Sequence, residues 1–293
     1  MNVPGKPLLG GIEAGGTKFV LVVGHSPTEI VAKHSIPTRS PATTLAQAAE
    51  WLAQHGAIAA LGIASFGPVE LDPRAPRWGY ITNTPKPGWA DCDIAGYFAR
   101  RLAVPVGFDT DVNGAALAEY AYGAGLGAGS LAYVTVGTGI GGGLVIDGKA
   151  VHGAAHPEVG HFYPRRLSVD AEFHGICPHH GDCLEGLASG PAIHARWGAS
   201  LSDLPADHAA HGIIAGYLAQ LCHSLFAMLA VEKVVLGGGV MNTPGLLEKV
   251  QFATLALDAG YLPGADKHLL SRPGLGDRSG AVGALLLARS ALD

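Results

Sequence analysis

The chain has 293 residues, enough for two lobes with separate cores, since single cores rarely grow beyond roughly 250–300 residues. Hydrophobic residues make up 48%, charged residues only 15%, and 43 positions are glycine, a balance that suits a glycine-loop enzyme better than a scaffold. The formal net charge is −5 and no basic cluster of five or more Lys/Arg occurs, so nucleic acid has no electrostatic footprint and small molecules are the expected partners.

In chain order, MNVPGKPLLGG lacks the apolar core of a secretion signal, and no uninterrupted apolar run reaches the roughly 20 residues of a membrane span. A cytoplasmic protein without a membrane partner is expected. LLGGIEAGGTKFVLVVG (8–24) sets a glycine turn at Ala14–Thr17 between two apolar runs, which reads as a hairpin whose turn exposes N–H groups. PATTLAQAAEWLAQHG (41–56) reads as a helix, LGIASFGPV (61–69) and VPVGF (104–108) as strands, and DVNGAALAEYAYGAG (111–125) as a helix opening on an aspartate. LAYVTVGTGIGGGLVIDGK (131–149) repeats the hairpin plan and VEKVVLGGGVM (231–241) repeats the later strand. Residues 162–182 have no periodicity, and an ordered irregular stretch of that length needs a staple. HAAHGIIAGYLAQLCHSLFAML (208–229) is a buried helix interrupted by His, Gln and Gly, and 279–293 closes the chain as a helix on the first lobe. Two α/β lobes are expected, a smaller one from 1–114 plus 279–293 and a larger one from 115–278.

Glycine-rich turns present successive N–H groups to an anion. GTGIGG (137–142) also fits a dinucleotide-binding pattern, but GLVIDGK continues as a strand where that motif requires a helix. No Walker A sequence occurs.

HPEVGH (156–161) and CPHHGDC (177–183) gather metal-binding groups, while Cys92 and Cys222 stand alone. His161, Cys177, His180 and Cys183 make a four-ligand set with C-x-x-H-x-x-C spacing, with His179 the alternative to His180. Four protein ligands leave no open position, so the expected Zn²⁺ is structural. The histidines of HPEVGH are five apart around Pro157 and Gly160, unlike a helical metalloprotease pair; a zinc-dependent deaminase or hydrolase is a distant alternative that leaves the glycine loops unexplained. Asp111 follows a strand at the mouth of a helix, a place for either a general base or an N-cap, and Asp109 is its rival as base.

GGIEAGGTKF (10–19), FDTDVNGAALAE (108–119), VTVGTGIGGGLVIDGK (134–149), HPEVGH (156–161), CPHHGDCLEGLASGPA (177–192) and VVLGGGV (234–240) together resemble the ROK sugar kinases, most closely their bacterial fructokinase branch. The resemblance implies a two-lobed, actin-like (ribonuclease H-like) ATPase fold, with ATP and a hexose bound in the cleft between lobes. It implies Asp111 as the base that activates the 6-hydroxyl of D-fructose. Glucokinase or mannokinase activity of broader specificity, and a non-catalytic sugar sensor, are the alternatives.

The resemblance also places sugar contacts on Glu158, His161 and Glu185, with Gly67, Asn83 and Thr110 in the same pocket. Thr110 stands where the family often has Asn. For ATP it implies Gly15, Gly16, Thr17 and Lys18 in the first loop, Thr138 and Gly139 in the second, and Gly237, Gly238 and Gly239 at the adenosine. Glu13, where Asp is commoner in the family, is the expected outer-sphere partner of Mg²⁺. A homodimer is implied; a DNA-binding helix-turn-helix is not, because the first hairpin begins at residue 8.

Overall fold

The first glycine turn joins β1 (Leu9–Ala14) to β2 (Lys18–Ser26), and a tight turn returns the chain as β3 (Glu29–Pro37) in the computed structural model, which describes residues 6–293. The first residues of the N-terminal stretch, read above for a secretion signal, lie outside the described residues. There follow α1 (Pro41–Ala53), β4 (Ala60–Ser65), β5 (Tyr80–Ile81), β6 (Cys92–Asp93), α2 (Ile94–Leu102), β7 (Val106–Thr110) and α3 (Asp111–Tyr122). The second hairpin is β8 (Ser130–Val136) and β9 (Ile140–Ile146), with β10 (Lys149–Ala150) beside it. After a long irregular stretch come α4 (Leu184–Ala188), α5 (Gly190–Trp197), α6 (Ala209–Leu229), β11 (Lys233–Gly237), α7 (Leu246–Asp258), β12 (Leu269–Ser271) and α8 (Ser279–Ser290).

Two compact units result, one of Met1–Ala118, His152–His156 and Asp277–Asp293, the other of Glu119–Val151 and Pro157–Gly276. Against the boundaries read from sequence, Ala115–Ala118, His152–His156 and the two residues Asp277 and Arg278 join the first unit. Its sheet runs β3-β2-β1-β4-β7 and that of the second runs β10-β9-β8-β11-β12. In both, an antiparallel hairpin is extended on one side by an antiparallel strand and on the other by two parallel strands, so the duplication holds strand for strand.

In the first unit Ile12, Phe19, Leu21, Ile63 and Trp89 are fully buried, each apolar side chain contributing about 1.5–3 kcal/mol. Ser40 caps α1 by accepting the Thr43 N–H, and the helix stops at Ala53, short of the expected Gly56. The strand expected at 61–69 ends at Ser65 because Phe66–Pro68 forms a turn. The strand expected at 104–108 is shifted to Val106–Thr110, directly abutting α3. Gly11, Gly62 and Gly107 lie in register across β1, β4 and β7, and this side-chain-free row lets the backbone of α8 settle on the sheet at Ala284 and Leu287.

In the second unit α6 is long and apolar enough to cross a membrane by composition, but Ile214, Tyr217, Leu218 and Cys222 are buried in a core with β8, β9 and β11. The aperiodic 162–182 stretch has a protein staple that sequence reading did not anticipate. Arg196 Nη1 donates to Asp170 Oδ2 at 2.6 Å with both side chains 6% exposed, and Tyr217 Oη donates to the same oxygen at 2.9 Å. Arg166 ties Asp182 to the Asp170 and Phe173 carbonyls, and Arg196 is sandwiched between the Phe173 and Trp197 rings.

Candidate active site and metal centre

At the end of β7 a buried polar knot sets the geometry of α3. Thr110 Oγ1 accepts the Asn113 N–H at 3.1 Å, so the capping role belongs to Thr110, and Asp111 is the first helical residue with Oδ1 on the Val112 N–H at 2.9 Å. The N-cap alternative for Asp111 is thereby corrected: the neighbouring hydroxyl already satisfies the turn. Asp109, only 4% exposed, accepts from the Thr110 N–H and from Asn113 Nδ2, both at 2.7 Å, through Oδ1. Its Oδ2 accepts from His152 Nε2 at 3.0 Å. A carboxylate so occupied is a poor general base and a good anchor. The same hydrogen bond raises the pKa of the half-exposed His152 above the ordinary imidazole value.

Four residues on, His156 Nε2 accepts the Val69 N–H at 3.1 Å and its ring lies against Gly67. Asn83 is exposed in the loop after β5. Sequence reading missed both His152 and His156, although the HGAAH spacing directly before Pro157 was a signal that this stretch held more than the metal ligand.

The first glycine turn is braced by its own unit: the Gly15 N–H donates to Lys18 O at 3.0 Å, and Thr38 Oγ1 donates to Gly15 O at 2.7 Å. Thr17 and Lys18 are exposed. Glu13 lies two residues before the turn, and the missing side chain of Gly280, in the first turn of α8, makes room for its carboxylate. Burial raises its pKa, partly opposed by Lys33 and Lys18.

The second turn has a side-chain brace. Ile140 N–H donates to Glu185 Oε2 at 2.9 Å, and the Gly190 N–H donates to Gly137 O at 2.7 Å, while Thr138 remains exposed. Glu185 thus supports the loop with one carboxylate oxygen. Beyond β11, Gly238 has φ +91 and lies against the Val136 backbone, a conformation that only glycine adopts without strain. Gly239 opens onto a cavity of about 250 Å³ lined also by Gly190, Ile193, His194, Leu201 and Thr243. Thr243 Oγ1 is buried without a hydrogen-bond partner. Neither His194 nor Thr243 carries a sequence signal, since their relevance depends on α5 and β11 meeting in the fold.

His161, Cys177, His180 and Cys183 converge within 4.8 Å of one another. His161 Nδ1 stands 3.3 Å from His180 Nδ1, 3.6 Å from Cys183 Sγ and 3.9 Å from Cys177 Sγ, and Cys177 Sγ stands 3.7 Å from His180 Nδ1. Tetrahedral zinc with ordinary Zn–N and Zn–S lengths requires edges of about 3.3–3.8 Å, so the donor set fits the ion. His180 belongs to the cluster; His179 is exposed and outside it. Burial pushes the Cys183 thiol up to about 11, a cost to the thiolate that a cation offsets. Backbone bonds shape the loop, with Cys177 and Gly181 exchanging N–H···O contacts and Leu184 N–H donating to Phe162 O at 2.9 Å. Gly160, beside His161, packs on the Ile140 carbonyl of the second turn. Glu158 is exposed immediately before that segment, its carbonyl accepting the His161 N–H at 3.0 Å.

Residues 9–291 match the ROK family profile. The chain belongs to the ROK family. Among ROK proteins it is 48% identical to a fructokinase of Zymomonas mobilis over 98% of each chain, and 41% identical to a fructokinase of Pediococcus pentosaceus over 97% of this chain and 99% of that one. The ROK hexokinase of Thermus thermophilus matches the fold with a TM-score of 0.79 and 28% identity, over 97% of this chain and 99% of that one. A Streptomyces griseus ROK glucokinase, solved with glucose and AMPPNP, shares the fold at a TM-score of 0.74 and 24% identity, over 97% of this chain and 99% of that one. The two duplicated sheets are those of the actin-like sugar kinase fold.

Proposed function

We propose that this ROK protein transfers the γ-phosphoryl group of ATP to the 6-hydroxyl of D-fructose. The observation that carries the reading is the β7–α3 junction, where Thr110 takes the cap and Asp109 is locked, which supports Asp111 over Asp109 as the base. The fructokinase relatives support fructose as the acceptor.

Asp111 takes the hydroxyl proton as the sugar oxygen attacks the γ-phosphorus, and ADP leaves. Glu158 and the remaining oxygen of Glu185 accept sugar hydroxyls, the Nε2–H of His161 donates to a sugar oxygen, and Gly67, Asn83 and Thr110 line the same pocket. The turns at Gly15–Lys18 and Thr138–Gly139 offer N–H groups and the Lys18 ammonium to the phosphates. Adenine takes the cavity beside Gly237–Gly239, with the unpaired Thr243 hydroxyl turned to the nucleotide. Glu13 would act as a water-mediated partner of a phosphate-bound Mg²⁺, which would supply charge neutralisation during transfer. His161, Cys177, His180 and Cys183 would hold a structural Zn²⁺ with no open position, which would fix the segment that carries Glu158. The same reading makes the protein cytoplasmic and homodimeric, with exposed Phe252 and Tyr261 as apolar surface for self-association, which light scattering checks.

A coupled ADP-release assay over fructose, glucose and mannose, run beside zinc analysis, tests the proposal. Fructose should give the highest kcat/KM. Equal use of glucose and mannose would replace it with a broad hexose kinase, and no ADP with any hexose would discard the kinase reading.

A further inference from the structure

The segment His152–His156 belongs to the first unit although residues on both sides belong to the second. Its two imidazoles are anchored at different places. His152 Nε2 donates to Asp109 Oδ2 from outside residues 109–113, and Asp109 in turn holds the Thr110 N–H and the Asn113 amide. His156 Nε2 accepts the Val69 N–H, immediately after the Phe66–Pro68 turn, with its ring against Gly67. Each interaction has a chemical demand behind it. The Asp109 carboxylate is buried and needs donors on both oxygens, and the Val69 N–H lies outside any strand ladder and needs an acceptor.

We propose that His152 and His156 form a two-point positioning clamp, His152 fixing the helix start that carries Asp111 and His156 fixing the Gly67 turn that lines the sugar. The inference rests on the kinase reading above and goes beyond it by giving each histidine a separable kinetic role. His152 acts through Asp109 on the direction of the base, so its loss is felt in turnover. His156 acts on a turn that meets the ground-state sugar, so its loss is felt in sugar binding. Neither acts on the glycine turns, so KM for ATP is indifferent to both.

The test is steady-state kinetics of variants of the full chain, each checked for zinc content and thermal transition. His152→Ala should lower kcat by about 10–100-fold with both KM values within about twofold, the scale of a small misplacement of a reacting group. His152→Gln, whose amide N–H can reach Asp109, should recover most of that loss. His156→Ala should raise the sugar KM by about tenfold, the effect of stranding one buried N–H, with kcat nearly kept. If His152→Ala does not fold, the isosteric pair decides: His152→Gln active and His152→Glu inactive supports the clamp, and equal turnover in the two overturns it. A wild-type kcat in folded His152→Ala, or an unchanged sugar KM in His156→Ala, also overturns it. An inactive wild type would instead fail the kinase reading, which separates the two failures.

Discussion

The two sheets have the same strand order, yet their third strands differ in a way that separates their chemistry. In the first unit β3 is nine residues long and keeps the chain in the sheet as far as Pro37. In the second, β10 is two residues long, and the chain leaves after Ala150 to build the segment that carries Glu158, the Cys/His cluster and Glu185. A duplicated scaffold has thus been made unequal by ending one edge strand early. The turns show the same inequality: the first is held by backbone and Thr38, the second by Glu185, two residues after Cys183 of the metal cluster. Disrupting each unit should therefore fail differently, turnover in the first and loop architecture in the second.

The largest effect is expected at the β7–α3 junction. Asp111→Asn should lower kcat by about 10³–10⁴-fold, the upper range for general-base loss, with the unfolding transition and zinc content unchanged. Near-normal turnover in a folded variant would remove Asp111 from the mechanism and with it the functional contrast between the units. Next is Cys183→Ser, which should abolish bound metal and lower the unfolding midpoint by about 5–10 °C. Sugar affinity should fall as a consequence, whereas Asp111→Asn leaves the metal in place. Retained zinc with an unshifted midpoint would show that the Arg196–Asp170–Tyr217 network holds the 162–182 stretch without the ion.

Glu185 sharpens the comparison because different substitutions separate its observed brace on the second turn from its proposed sugar contact. Glu185→Ala should strand the Ile140 N–H and weaken both ATP and sugar by about 10–100-fold, the range for losing a hydrogen bond to a charged group. Glu185→Gln keeps an acceptor for that N–H, so KM for ATP should stay near wild type while sugar affinity still falls. Equal losses for both nucleotide and sugar in the Gln variant would mean that the charge, and not the brace, supports the loop.

Local chemistry made much of this legible before any coordinates. The two hairpins follow from glycine turns between apolar runs, and the convergence of the Cys/His cluster from a C-x-x-H-x-x-C stretch preceded by HPEVGH, because in both cases the partners are near one another in sequence. What remained hidden depends on topology. His152 reaches Asp109 across 43 positions, a contact that exists only because a five-residue segment rejoins the first unit. Glu119 looks like an ordinary helical residue in DVNGAALAE, yet it is fully buried and accepts the N–H groups of Ala124, Gly274 and Leu275. Asp170 and Arg196 sit in stretches with no shared motif and meet as a buried ion pair. The strand β3 was missed for a different reason: EIVAKHSIP is an exposed edge whose alternation is broken by Lys, His and Ser.

The smallest expected effect tests the two hairpins against each other at one matched position. The last pairs before the turns are Ala14 with Phe19 and Val136 with Ile140, so Glu13 of the first hairpin corresponds to Thr135 of the second. Only the first hairpin carries a carboxylate there, partly buried, and desolvation raises its pKa. A carboxyl with a raised folded-state pKa favours folding fully below its unfolded pKa, and that contribution is lost as pH rises through the folded value. At neutral pH the charged Glu13 therefore works against stability. Glu13→Gln should raise the unfolding midpoint by about 2–4 °C at pH 7.5, in the range of relieving one functional strain. The gain should shrink as pH falls toward the ordinary carboxyl range, where the wild-type side chain is protonated in both states. Turnover should fall in the same variant if Glu13 is the proposed water-mediated partner of Mg²⁺. A midpoint that drops at pH 7.5, or a gain that grows on acidification, would show that Glu13 is stabilising in the folded protein and is no asymmetric cost of the catalytic hairpin.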